Sequence, residues 1–207
     1  MTSPAETITV LDRAALDRLF EGAHTTNTFT DEPVDLGLVQ KVYEDLRWAP
    51  TSMNIQPLRL TVLKSQKSRR AVVEHLMEGN RAKTLEAPLT LVAAFDPEWH
   101  EHMPHLAPQR EGVRERFSEM PKVRESMGRS NGQLQLGYLL LALRAHGLEA
   151  GPMTGLDAEG VDSAVHAENG WKTLAVVNVG HAPNPEDDQA QRPRAGRLDF
   201  AQAAKVL

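Results

Sequence analysis

Apolar side chains at Leu16, Leu19, Phe20 and Ala23 recur at helical spacing, with Asp12 where a cap is needed, so the pattern predicts an amphipathic helix over residues 12–23. A second set, Val39, Val42, Tyr43 and Leu46, predicts another helix that ends just before Pro50, because a proline pushes the residue ahead of it out of helical geometry. Leu58, Leu60 and Val62 alternate in LRLTVL and give a strand; SRRAVVEHLME gives a helix, and the unbroken apolar run LTLVAAF gives a buried strand. NGQLQLGYLLLALRAHG is apolar around most of its circumference, as expected of a helix at the centre of the domain or in a dimer interface. GLEAGPMTGLD reads as a glycine and proline loop, Asp157 as the start of a short helix, and TLAVVNVG as a third strand. The tail RPRAGRLDFAQAAKVL starts basic and ends as a short amphipathic helix. Residues 96–128, rich in His, Pro, Arg and Glu and weakly periodic, read as a long excursion holding one short helix, the kind of segment used as a lid. The elements sum to an α+β fold, a mixed central sheet surrounded by helices.

Composition narrows the function. A chain of 207 residues, 41% hydrophobic and 25% charged, has the make-up of one globular domain spanning 1–207. The net charge of −5 and the lack of a basic stripe argue against nucleic acid as a partner. The absence of cysteine excludes disulfides, thiolate nucleophiles and Cys-ligated zinc. MTSPAETITV has neither a basic nor an apolar leader region, and no stretch approaches the ~20 apolar residues of a membrane span, so the expectation is a cytoplasmic protein without a membrane partner.

Candidate chemistry is scattered in short polar stretches. No G-x-G-x-x-G follows a strand, and neither a P-loop nor a G-x-S-x-G elbow is present. His100, His102 and His105 could hold a zinc with an open position, but proline interrupts them and their spacing lacks the usual i, i+4 pair, so a solvated loop face is the better reading. HTTNTF places His24, Thr25, Thr26, Asn27 and Thr28 after a helix, a density of short donors suited to an anion or a polar ring edge, or to capping. WAPTSMNIQP brings Pro50, Thr51, Ser52, Asn54 and Gln56 into one stretch with a proline near each end. GNRAK offers Asn80 and Lys83, and RPRAGR offers Arg192, Arg194 and Arg197.

Taken in order, these pieces resemble the FMN-dependent nitroreductase family over almost the whole chain. APTSMNIQP is similar to its A-P-S-S-x-N-x-Q-P signature at Ala49, Pro50, Ser52, Asn54, Gln56 and Pro57, with Thr51 in place of the first Ser. HTTNTF resembles its first motif, NRAK its N-x-x-K, GPMTGLD its P-x-x-G-[FL]-D loop and VVNVG its last strand. Within the family, WAPTSMNIQP, GNRAKTLEAP, LRAHGLEAGPMTG and RLDF look nearest to the malonic semialdehyde reductase (3-hydroxypropionate dehydrogenase) branch.

The resemblance implies a domain completed by homodimerisation, with two FMN sites each built from both chains, and hydride transfer from NADH or NADPH through flavin N5 to a small electrophile. The acceptors it implies are nitroaromatics, quinones and malonic semialdehyde. It assigns His24, Thr25 and Asn27 to the flavin phosphate, ribityl chain and pyrimidine edge, Arg194 or Arg197 to phosphate charge, and Asn80 and Lys83 to the ring's carbonyl edge. Thr154 and Gly155 would lie by N5, and Met153, Pro50 and Thr51 would also bind the cofactor, while Ser52, Asn54 and Gln56 would serve the partner's FMN and their stretch would look under-satisfied in a single chain. Many members carry two basic residues in the first motif where this chain has His24 and Asn27, so FMN affinity is expected to weaken as pH rises through the His24 titration. Arg110, Arg114 and Arg116 are candidates for a substrate carboxylate. Two alternatives differ in class: a flavin-binding carrier or sensor without turnover, and a zinc hydrolase using the histidine cluster.

Overall fold

The computed structural model of the chain describes residues 10–184 and 194–207. Four strands form one sheet in the order β1 (Leu58–Leu63), β2 (Leu89–Phe95), β4 (Lys172–Gly180), β3 (Glu149–Met153). Every pairing among them is antiparallel, so the sheet of the described residues is not the mixed sheet expected. Part of the reason lies in the first connection: two helices, α3 (Gln66–Val73) and α4 (Glu78–Glu86), lead out and back where a single crossover helix would have made β1 and β2 parallel.

Helices cover both faces, which is why all seven residues of β2 are buried. On one side α2 (Leu36–Leu46) and α7 (Pro121–Ala145) press Val39, Val42, Leu139 and Leu143 onto Leu89, Leu91, Ala93, Ala175, Val177 and Val179. On the other, α3 and α8 (Ala158–Val165) bring Val72, Val73 and Val161 against Val92, Val176 and Met153. The alternation of these strand residues between two clusters is the period-two pattern of a sheet clothed on both sides.

Three features differ from expectation. The single helix foreseen over SRRAVVEHLME is broken between Val73 and Glu78, because the intervening backbone bonds to another loop: Met77 N–H donates to the Gly155 carbonyl (3.0 Å) and Asp157 N–H to the His75 carbonyl (2.8 Å). EAGPM, read as loop, is an edge strand that tolerates Pro152 because its outer side needs no ladder bond from that residue. Residues 96–128 hold more helix than expected: a 3₁₀ turn (Trp99–His102), α5 (Met103–Leu106), α6 (Val113–Ser118) and the first two turns of α7, packed around Ile55, Trp99, Met103 and Phe117. The helix foreseen over 131–147 therefore begins ten residues earlier, at Pro121.

The first helix is α1 (Arg13–Leu16), capped by Asp12 and continued by a π turn (Asp17–Glu21). The tail carries α9 (Phe200–Ala203), whose Leu198 and Phe200 are exposed. Among the described residues, no helix is long and apolar enough to cross a membrane.

Candidate functional site

The stretch His24–Thr30 is held against the outer edge of β3. Thr26 is buried and its N–H donates to the Ala150 carbonyl (3.2 Å), while Thr30 N–H donates to the His181 carbonyl (2.9 Å). Gly151 permits this approach, since a Cβ there would stand 2.4 Å from the Thr26 carbonyl oxygen. With Thr26 turned inward, its neighbours face a cavity of about 480 Å³ lined by His24, Thr25, Asn27, Lys83, Arg194 and Arg197, with Phe20 and Arg144 among its other walls. Six residues drawn from three separate stretches of sequence thus meet at one place.

Position within the cavity follows from buried polar anchors. Asn178 on β4 donates to the Thr84 hydroxyl (3.1 Å) and the Lys83 carbonyl (3.3 Å) and accepts from Thr90 (3.0 Å), so the sheet fixes α4 through its backbone. That places Asn80 and Lys83 one turn apart on α4. Lys83 Nζ donates to Asn27 Oδ1 (3.2 Å), and both residues also line a smaller adjoining hollow with Asp31 and Glu86. Asn80 Nδ2 donates to the Gly155 carbonyl (3.2 Å), which already accepts from Met77 N–H. Two donors on one carbonyl set the orientation of that peptide, and the Gly155 N–H has no hydrogen-bond partner among the described residues. Met153 is buried beneath, with its sulfur 3.9 Å from the Thr84 hydroxyl, while Thr154 is exposed. A side chain at position 155 would stand 2.6 Å from Met77 Sδ and 3.3 Å from Asn80 Nδ2, so glycine lets Met77 and Asn80 pack onto this backbone.

Further positive charge comes from Arg194 and Arg197. Arg194 donates to the Ala23 carbonyl (3.3 Å) and lies 3.2 Å from His24 Nε2. A guanidinium can only donate, so in this contact His24 Nε2 is the acceptor. Arg192 lies outside the described residues.

The residues of WAPTSMNIQP form a separate group and line none of that cavity. Their backbone is strained: Met53, Asn54 and Gln56 have φ of 54°, 61° and 39°, values that non-glycine residues rarely adopt. Such conformations cost about 1–3 kcal/mol each and cluster at functional surfaces. The stretch is also better satisfied than expected. Ser52 N–H donates to Asn131 Oδ1 (2.8 Å), Asn54 Nδ2 to the Leu106 carbonyl (2.9 Å), Gln56 Nε2 to Asn54 Oδ1 (2.7 Å) and Gln56 N–H to Thr51 Oγ1 (3.2 Å). The reason is that α7 and the 96–128 segment supply partners within the same chain, and the left-handed backbone folds Asn54 and Gln56 toward each other. Pro50 and Ser52 are exposed. Arg59 holds the following turn, donating to the Gln56 and Leu58 carbonyls and to Asp96 (2.8 Å).

The histidine cluster does not converge. His100 is buried with Nε2 3.2 Å from Arg124, whereas His102 faces Asp96 at 3.4 Å, and among the described residues no three His, Cys, Asp or Glu side chains are grouped to hold a metal. Arg110, Arg114 and Arg116 line none of the cationic cavity, and Arg114 is paired with Glu101 (2.8 Å). Residues that sequence reasoning passed over include Arg144, Phe20 and Gly151. Arg144 could have been noticed as one cation near the end of an otherwise apolar helix.

Residues 21–181 match the Nitroreductase family. A Leptothrix cholodnii protein carrying the name "Putative NADH dehydrogenase/NAD(P)H nitroreductase" is 44% identical over 197 residues, 95% of this chain and 98% of that one. A nitroreductase structure from Exiguobacterium sibiricum, in complex with FMN, superposes with a TM-score of 0.79 at 18% identity, covering 97% of this chain and 100% of the other. An NAD(P)H:FMN oxidoreductase structure from Staphylococcus epidermidis gives 0.76 at 15% identity over 97% and 98% of the two chains. The chain belongs to the Nitroreductase family.

Proposed function

We propose that the protein is an FMN-dependent NAD(P)H oxidoreductase that acts as a homodimer on a small electrophile. The observation that carries the reading is the cavity in which His24, Thr25, Asn27, Lys83, Arg194 and Arg197 meet. Its donor set fits a phosphorylated flavin: arginines suit a phosphate, and a lysine beside a carboxamide suits a carbonyl edge. Gly155 adds a backbone N–H that has no hydrogen-bond partner among the described residues. Bound there, FMN would supply hydride transfer from a nicotinamide to an electrophilic acceptor.

The chain's own residues then bind, orient and tune. Arg194 and Arg197 hold the anionic end. Asn80 and Met77 fix the Gly155 peptide so that its N–H remains available to a hydrogen-bond acceptor on a ligand. Lys83 places a cation where it favours added negative charge on the ring. The strained stretch Thr51–Gln56, set apart from this cavity, is held rigidly enough by Asn131 and Arg59 to complete the site of a partner chain. Among acceptors we favour malonic semialdehyde, on the resemblance of WAPTSMNIQP and GNRAKTLEAP, with nitroaromatics and quinones as broader substrates.

The test is the purified protein itself. A yellow sample absorbing near 450 nm, roughly the band of oxidised flavin, that NADH or NADPH bleaches and malonic semialdehyde recolours supports the reading. A colourless protein that takes up no added FMN overturns it. A yellow protein that no nicotinamide bleaches identifies a carrier or sensor instead.

A further inference from the structure

Arg144 stands out in the wall of the cationic cavity. The ten described residues lining it include four cations, Lys83, Arg144, Arg194 and Arg197, and no carboxylate. Arg194 and Arg197 are exposed on the tail, whereas Arg144 rises from the last turn of α7 and is partly buried. Among the described residues it forms no ion pair: the nearby carboxylate, Glu149, is taken by Arg18 at 2.5 Å. Among the described residues its buried Nε has no hydrogen-bond partner, and only Nη1 is engaged, donating to the Leu19 carbonyl (3.0 Å). Burial lowers its pKa, Glu149 raises it and Arg18 lowers it again. A cation kept half out of water without an anion of its own is destabilising unless something else supplies the negative charge.

The other contact of this region is reciprocal. Arg18 Nε donates to the Arg144 carbonyl (3.1 Å), while Arg144 donates to Leu19, the residue after Arg18. Two arginines therefore bind the π turn Asp17–Glu21 to the end of α7, and that turn carries Phe20 into the cavity wall.

We propose that Arg144 is a further anion-binding residue of this site, meeting the phosphate of the cofactor from the α7 side, and that through Leu19 and Arg18 it makes the closure of the N-terminal turn depend on that phosphate. The inference rests on the FMN reading above. A phosphomonoester, rather than the flavin ring, is the group recognised, because Arg144 adds only charge and guanidinium donors to a cavity that already holds Arg194 and Arg197.

The experiment compares FMN with riboflavin, which lacks the phosphate, by fluorescence quenching on apoprotein from wild type, Arg144→Met and Arg144→Lys. Arg144→Met should weaken FMN by about 10- to 100-fold, the range expected for one charged hydrogen-bonding partner, and leave riboflavin within about twofold. Arg144→Lys should recover part of the loss. In hydrogen exchange, amides 17–22 of wild type should gain protection with FMN and not with riboflavin, and Arg144→Met should abolish the difference. Equal losses for both flavins would mark a merely structural role and overturn the inference, as would unchanged FMN binding in Arg144→Met. If wild type binds neither flavin, the cofactor reading itself fails, a result distinct from these.

Discussion

Gly151 and Thr26 lie so close that a single methyl group on the glycine would stand 2.4 Å from the Thr26 carbonyl oxygen. The obstacle is backbone, which cannot swing aside as a side chain would. Gly151→Ala should therefore lift the His24–Phe29 stretch from β3, destabilising the fold by about 1–3 kcal/mol and weakening flavin binding beyond what the stability loss explains. Urea unfolding and FMN titration on the same variant check both parts; unchanged flavin affinity would detach this stretch from the site.

Lys83 is held toward the cavity by Asn27 and by its place on α4. If flavin binds as proposed, Lys83→Met should make its two-electron potential more negative, because reduction adds charge that the lysine favours. The scale is about 30 mV for each tenfold loss in preference for reduced over oxidised flavin. Dye-coupled redox titration measures the shift, and a less negative potential would place the lysine elsewhere in the bound complex.

His166 is buried between Thr61 Oγ1 (3.0 Å) and Asp162 (3.5 Å) and packs on Trp171. Burial lowers its pKa more than the hydrogen bond and charge of Asp162 raise it, and Lys172 lowers it further. The folded chain thus binds this proton less readily than the unfolded one. Its contribution to stability is intact above the ordinary histidine value of about 6.5 and is lost as pH falls from there through the lower folded value. The loss is at most about 1.4 kcal/mol per pH unit. Melting curves from pH 7.5 to 5 should show a steeper decline for wild type than for His166→Gln.

Arg59 and Asp96 form a part-buried pair, and Arg59 also holds the Gln56 and Leu58 carbonyls. Arg59→Met leaves Asp96 without that partner and releases the strained turn, so a loss of about 3 kcal/mol is expected. Denaturant unfolding measures it. Arg59→Met with Asp96→Asn should recover part of the loss, since the uncompensated carboxylate is then gone.

Much of this architecture is legible in the sequence. The strand at Leu58–Leu63 and the buried strand at Leu89–Phe95 lie where alternation and the apolar run placed them. The polar stretches also pointed to one another, since His24, Lys83 and Arg194 do share a cavity. What periodicity could not show was decided by contacts distant in sequence. The break after Val73 depends on Gly155, and EAGPM becomes a strand because β4 lies beside it. The start of α7 was hidden because Gly128 and Gly132 lower helix propensity, yet both are needed where the helix meets Phe95, a Cβ at either standing 2.9 Å from it. Arg144 escaped notice because its importance lies in what does not neutralise it.

The sheet's two borders are not alike. Along β3 the Thr26 backbone already occupies the outer side, and Pro152 has no N–H to offer a newcomer. At β1 the outward groups of Leu58 are taken by side chains instead, its N–H donating to Gln135 (2.9 Å) and its carbonyl accepting from Arg59 (3.0 Å). One border is thus blunted by backbone and the other by side chains of the same chain, and each leaves fewer open ladder positions for edge-to-edge pairing with another molecule.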